Sequence, residues 1–187
     1  MKNFSKDFSP FQKHIWLNAA SEGPLPKIAA GSLKEAIRWK SRPYELTNER
    51  FMDVPLKLKD SIGRLIGVSG RDVILANSAS YGLHILANGI PWQAGDEIIV
   101  MQNDFPTDIL PWLALEEKGV GVRQVRPKDK VLTPEELLEN ISVKTRLFCI
   151  SHVHTFTGVK LAIEKFSEIC RSKNILFVLN VSQSVGT

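Results

Sequence analysis

Apolar and polar positions along the chain change rhythm near residue 71. Before it, apolar residues recur at helical spacing. Lys27 to Lys40 places Ile28, Leu33, Ile37 and Trp39 among polar neighbours, and Pro43 bounds the run. Asp53 to Ile66 repeats the pattern with Leu56, Leu58, Ile62, Leu65 and Ile66, and predicts a second helix with Asp53 as N-cap and Pro55 in the first turn. The stretch to Pro26 predicts an extended arm, because Ser21-Glu22-Gly23-Pro24-Leu25-Pro26 forbids regular helix. After residue 71, short apolar runs alternate with helical patterns. Val73–Ala76, Glu97–Met101, Val120–Val125, Arg146–Ile150 and Ile175–Leu179 predict five strands. Ser80–Gly89, Asp108–Lys118 and Ile163–Lys173 predict helices between them, and Thr133-Pro134-Glu135-Glu136 carries the capping-box start of another.

Short apolar strands separated by helices predict an α/β fold, a mostly parallel sheet with helices on both faces. In such sheets ligands bind beyond the carboxyl ends of the strands, so the residues just after each strand are the candidates for chemistry.

Composition narrows the classes. The chain has 187 residues, 43% hydrophobic and 24% charged, with a formal net charge of +4. Lysine and arginine are scattered among acids with no basic arm or Arg-rich helix, which argues against nucleic acid as a partner. Met1–Pro10 lacks an apolar core of a signal sequence, and no run is long enough to span a membrane, so the expected location is cytoplasmic. Cys149 and Cys170 form neither a CxxC pair nor a zinc spacing. Cys149, within Leu147-Phe148-Cys149-Ile150, reads as a buried structural thiol.

Four strand ends carry candidate residues. Asn77-Ser78-Ala79-Ser80-Tyr81-Gly82 opens a helix, and its small residues suit a phosphate cradle, or else simply a serine N-cap. No dinucleotide or P-loop glycine motif is present. In Gln102-Asn103-Asp104-Phe105-Pro106-Thr107-Asp108, Phe105 suits stacking on a planar ring, or else plugs the helix–sheet junction. His152 and His154 in Ser151-His152-Val153-His154 sit at a spacing that invites a metal, but no third ligand accompanies them, and no metal is expected. Asn180 and Gln183 follow a wholly apolar strand, where a polar amide marks a site or is satisfied by loop backbone.

Taken in order, these strand ends resemble the class V aminotransferase family of fold type I pyridoxal-phosphate enzymes, which includes cysteine desulfurases, selenocysteine lyases, isopenicillin epimerase-like proteins and, more distantly, kynureninases. The resemblance spans nearly the whole chain. Trp16-Leu17-Asn18-Ala19-Ala20-Ser21-Glu22-Gly23-Pro24-Leu25-Pro26 is similar to the family's N-terminal arm, and Ser151-His152-Val153 with Gly158 and Asn180-Val181-Ser182-Gln183 are similar to two of its internal motifs. Phe105-Pro106-Thr107-Asp108 looks most like kynureninases and the epimerase-like group. The resemblance implies pyridoxal 5'-phosphate as cofactor. Ala79 and Ser80 would hold its phosphate, Phe105 would stack on the ring, Asn180 would meet the ring nitrogen, and Thr155 and Gln183 would face the ring hydroxyl.

It further implies an amino-acid substrate, desulfurase, lyase or aminotransferase chemistry, and a homodimer, with Trp16, Trp112 and Leu110–Leu115 as candidates for exposed apolar surface. Residues 1–26 would be the arm and 27–187 part of the large cofactor-binding domain. There are two departures. The family's aspartate is Asn180 here, and the Schiff-base lysine and small domain are expected beyond Thr187, leaving this stretch without a catalytic lysine. The alternative is a non-catalytic remnant or interaction protein that keeps the scaffold, or one half of a split enzyme.

Overall fold

The computed structural model describes residues 3–186; Met1, Lys2 and Thr187, at the ends of the expected arm and large domain, lie outside them. Two compact units divide the chain, the first ending at Leu75 and the second beginning at Ala76.

In the first unit the arm is irregular apart from a 3-10 turn at Ser5–Asp7. Helix α1 spans Lys27–Ser41 and α2 spans Asn48–Ile66. The second helix starts earlier than its pattern predicts. Thr47, not Asp53, is the N-cap, its hydroxyl accepting from the Arg50 N–H at 3.3 Å, and Pro55 falls inside the helix. Side-chain capping at Thr47 captures the orphan donors of the first turn, and Pro55 costs a single internal hydrogen bond. Gly67 ends α2 at φ 79°, a left-handed conformation that glycine adopts freely. Arg50 lies over the Trp39 ring, 4.9 Å from its centre.

The second unit is built on a parallel sheet. Its strands are β1 (Glu97–Met101), β2 (Gly121–Val125), β3 (Thr145–Ser151) and β4 (Leu176–Asn180), in the order β2-β1-β3-β4. Helices α3 (Ala79–Gly89), α4 (Leu110–Leu113), α5 (Pro134–Asn140) and α6 (Ile163–Ser172) complete it. Side chains on β1 alternate between two cores. Ile98 and Val100 join Leu83, Trp112 and Cys149 on one face, while Ile99 and Met101 join Leu137, Phe148 and Phe166 on the other. Both faces of β1 and β3 are covered, which is why these central strands read as apolar runs rather than alternating ones. Phe148 stacks on Phe177 with ring centres 5.6 Å apart. The capping box at Thr133 and Glu136 forms as expected.

Three expectations change. Val73–Ala76 is not a strand. Val73 is extended and buried, but Ile74 is 76% exposed, and no ladder partner pairs with this segment among the described residues. An apolar run supplies a wish to be buried, not the neighbouring strand that a ladder needs. Asp108–Lys118 is not one helix. It breaks into a 3-10 turn at Pro106–Asp108, the single turn α4, and a 3-10 turn at Glu116–Lys118 that ends at Gly119 with φ 79°. Pro111 brings no N–H to continue the ladder. Trp112 is fully buried and belongs to the core rather than to any exposed surface, whereas Trp16 and Leu110 are exposed.

Phe148 packs both against Phe166 and against Phe177 at the centre of one core. Phe148→Ala is expected to lower unfolding stability by about 3–5 kcal/mol, read as a shift in urea midpoint with an unchanged slope.

Candidate active site at the strand carboxyl ends

Parallel strands leave their carboxyl ends side by side, and the loops leaving β1, β3 and β4 converge there with the start of α3. Ala79, Phe105, Thr155, Asn180 and Gln183 line one cavity of about 160 Å3, together with Thr107, Ser151, Val153 and Ser182. Ser80, the remaining candidate, stands one residue into α3, its hydroxyl 2.8 Å from that of Thr107. The residues picked from the sequence are therefore gathered in one place. A second, mostly apolar cavity of about 410 Å3 lies between α3 and β4 and shares Ala79, Asn180 and Ser182 with the first.

Each wall has a local cause. At the start of α3 the N-cap is Ser78, which accepts from the Tyr81 N–H at 3.2 Å. That leaves Ser80 free of the capping role. The N–H groups of Ala79 and Ser80 lie in the first turn, where no upstream helical carbonyl can serve them, and with the helix dipole they form a natural anion seat. Phe105 is 41% exposed, so it does not plug the helix–sheet junction.

The two histidines serve the loop after β3. His154 is buried, with Nδ1 2.9 Å from the Thr157 hydroxyl and Nε2 3.2 Å from the Asn103 carbonyl. His152 places Nδ1 2.9 Å from the Ser184 hydroxyl and donates its backbone N–H to the Asn180 carbonyl at 2.9 Å. Among the described residues no cluster of His, Cys, Asp or Glu has the arrangement of a metal site.

Sequence reasoning missed the polar group behind the cavity. Asp108 is fully buried, and its carboxylate accepts from Asn180 Nδ2 at 2.9 and 3.0 Å and from the Ser151 hydroxyl at 2.7 Å. Burial pushes the Asp108 carboxyl up to about 6, and the nearby Asp104 adds to that rise, while the hydrogen bonds from Ser151 and Asn180 oppose it. Asp104 is nearly buried too, and accepts from the backbone N–H groups of Phe105 at 2.8 Å and Ser151 at 2.9 Å. Both acids lie in the segment after β1 from which Phe105 was picked. Reading Asp108 as an ordinary helix start concealed it. Behind them Cys149 is a free, buried thiol that burial, and then the Asp108 carboxylate, push well above the ordinary thiol range.

The Aminotransferase class-V family model matches residues 35–187. A probable cysteine desulfurase of Methanothermobacter thermautotrophicus is 23% identical over 186 residues, covering 97% of this chain and 46% of that protein. The cysteine desulfurase IscS of Buchnera aphidicola subsp. Schizaphis graminum is 30% identical over 132 residues, covering 68% of this chain and 33% of that protein. Among solved structures, a C-DES mutant with glycine covalently linked to its PLP cofactor superposes with a TM-score of 0.88 at 18% identity, covering 99% of this chain and 51% of the other. The cysteine desulfurase CsdA of Escherichia coli gives a TM-score of 0.79 at 15% identity, covering 97% of this chain and 48% of the other. The chain thus spans about half or less of the length of these relatives.

Because the Asp108 carboxyl is raised in the folded state from 3.8 to about 6, its contribution to stability is fully present below about pH 4 and is lost as pH rises through about 6. Asp108→Asn is expected to flatten this slope, and chemical denaturation at a series of pH values measures it.

Proposed function

Since the chain belongs to the aminotransferase class-V family, we propose that it forms the cofactor-cradling part of a pyridoxal-phosphate enzyme acting on an amino acid, with desulfurase, lyase or aminotransferase chemistry. Residues 27–187 are then part of the large domain, and the catalytic lysine belongs to chain beyond Thr187. The observation that carries this reading is the convergence of Ala79, Phe105, Thr155, Asn180 and Gln183 on one strand-end cavity.

The residues fit the group. The first turn of α3 offers N–H donors and the Ser80 hydroxyl to a phosphate. Phe105 offers an exposed aromatic face to a planar ring. Asn180, Thr155 and Gln183 line the same cavity, where Asn180 would offer its amide to the ring nitrogen and Thr155 and Gln183 would offer polar groups to the ring hydroxyl. When bound, pyridoxal phosphate supplies an electron sink for bonds at the substrate's α-carbon. The work of this chain is then to bind and orient. Donors at the helix start neutralise the phosphate, Phe105 fixes the ring plane, and Asn180 sets the hydrogen bond at the ring nitrogen.

A neutral residue at position 180 is the feature that would favour a scaffold without chemistry. Asp108 behind it weakens that alternative, because the site keeps a buried carboxylate 2.9 Å from the amide.

Isothermal titration of the chain with pyridoxal 5'-phosphate is expected to give saturable binding that needs the phosphate. Phe105→Ala should weaken it about tenfold, from lost stacking and lost apolar contact, and Ser80→Ala should weaken it less. Phosphate-free pyridoxal binding equally well, or Phe105→Ala binding as tightly as the parent, would overturn the reading.

A further inference from the structure

Asn180 brings no charge to the side of the cavity where a ring nitrogen would rest, yet a carboxylate stands directly behind it. Asn180 Nδ2 lies 2.9 and 3.0 Å from the two oxygens of Asp108, which is fully buried. An ionised carboxylate only accepts, so the nitrogen end of the Asn180 amide has to face Asp108. The oxygen end turns the other way. Asn180 Oδ1 accepts from the Ser182 N–H at 3.0 Å and from the Ser182 hydroxyl at 2.6 Å, and a ring N–H in the cavity would take the place of the rotatable hydroxyl. Ser182 is exposed and lines the cavity, whereas Asp108 sits behind its wall. The orientation of the amide is therefore set by its neighbours: nitrogen inward, oxygen on the cavity side.

We infer that Asp108 and Asn180 act together as a single anionic acceptor, with Asp108 supplying the charge and Asn180 presenting it, through its carboxamide oxygen, to a protonated ring nitrogen in the cavity. This rests on the pyridoxal-phosphate reading above. Asp108 touches no ligand and is a positioning residue that works through Asn180.

Several features support the division of labour. Ser151 and Asn180 both donate to the Asp108 carboxylate, so its charge is held in place by side chains of the protein. The neighbouring Asp104, committed to two backbone N–H groups, adds negative potential on the same side. An amide whose N–H is bonded to an anion carries more negative charge on its oxygen, since hydrogen bonds in a chain polarise one another. A unit charge one amide group away in a poorly solvated wall attracts a ring cation by at least the energy of one pH unit of basicity. Asp108 ionises at about 6, so the acceptor is charged at neutral pH.

The test uses pyridoxine 5'-phosphate labelled with 15N in the ring, which has no aldehyde to react with surface lysines. Its nitrogen chemical shift separates the protonated from the unprotonated ring. Bound to the parent chain, the ring nitrogen should stay protonated to higher pH than when bound to Asp108→Asn, by about one pH unit or more, a tenfold change in protonation constant. Asn180→Ala, at a partly exposed position, should lower the ring pKa similarly, and the double variant with both changes should lower it no further, because both residues serve one path. Asp108→Asn combined with Asn180→Asp should restore the high value. A merely structural role for Asp108 would change affinity and leave the ring pKa unmoved. An unchanged ring pKa in Asp108→Asn or in Asn180→Ala, or losses that add in the double variant, would overturn the inference alone. Failure of the parent chain to bind the ester would overturn the cofactor reading and this inference with it.

Discussion

A carboxylate with no access to water has to be satisfied from within the protein, and at Asp108 that requirement joins three strand ends. The acid comes from the loop after β1, its Ser151 partner from the last position of β3 and its Asn180 partner from the last position of β4. Removing any one partner would leave a buried charge short of a hydrogen bond, a costlier outcome than losing an ordinary surface contact. The geometry of the cavity follows from that tie, because Ser151 and Asn180 are also part of its wall. The raised pKa of Asp108 reflects what the arrangement costs, and a charge behind the cavity wall is what it gains.

The sheet makes the tie possible. Parallel strands with both faces buried put their carboxyl ends in register, β1 and β3 pairing from Ile98 with Leu147 onward and β3 with β4 up to Ser151 with Asn180. Each strand then delivers a polar loop to the same end, and α3 adds its N-terminus. The protein thus concentrates donors, an aromatic face and a buried charge at one end of an otherwise apolar layer. That is the usual way an α/β sheet separates the part that holds the fold from the part that holds a ligand.

Most of this was legible in the sequence where burial and chemistry coincide. β1 and β3 read clearly because strands buried on both faces leave apolar runs. Asn180 and Gln183 stood out because polar residues rarely follow such runs without a reason. What was not legible depended on partners distant in sequence. Val73–Ala76 has the composition of a strand, but pairing is a property of two segments. Thr47 outcompeted Asp53 as a cap because the first free N–H groups lie where the helix starts, and periodicity does not locate that start. Asp108 was the largest miss. Its importance lies in a contact with Asn180 across 72 positions, and nothing local distinguishes it from an N-terminal helix acid.

On the reading proposed above, the strand-end cavity seats a phosphorylated pyridine ring against Phe105 with its phosphate at the start of α3. Isotope-filtered NMR of the labelled chain with unlabelled pyridoxine 5'-phosphate addresses it most directly. Intermolecular contacts are expected from the ligand's ring and methyl protons to Phe105, with large amide shifts at Ala79 and Ser80. Saturable binding that shows contacts elsewhere, with Phe105, Ala79 and Ser80 unperturbed, would contradict it.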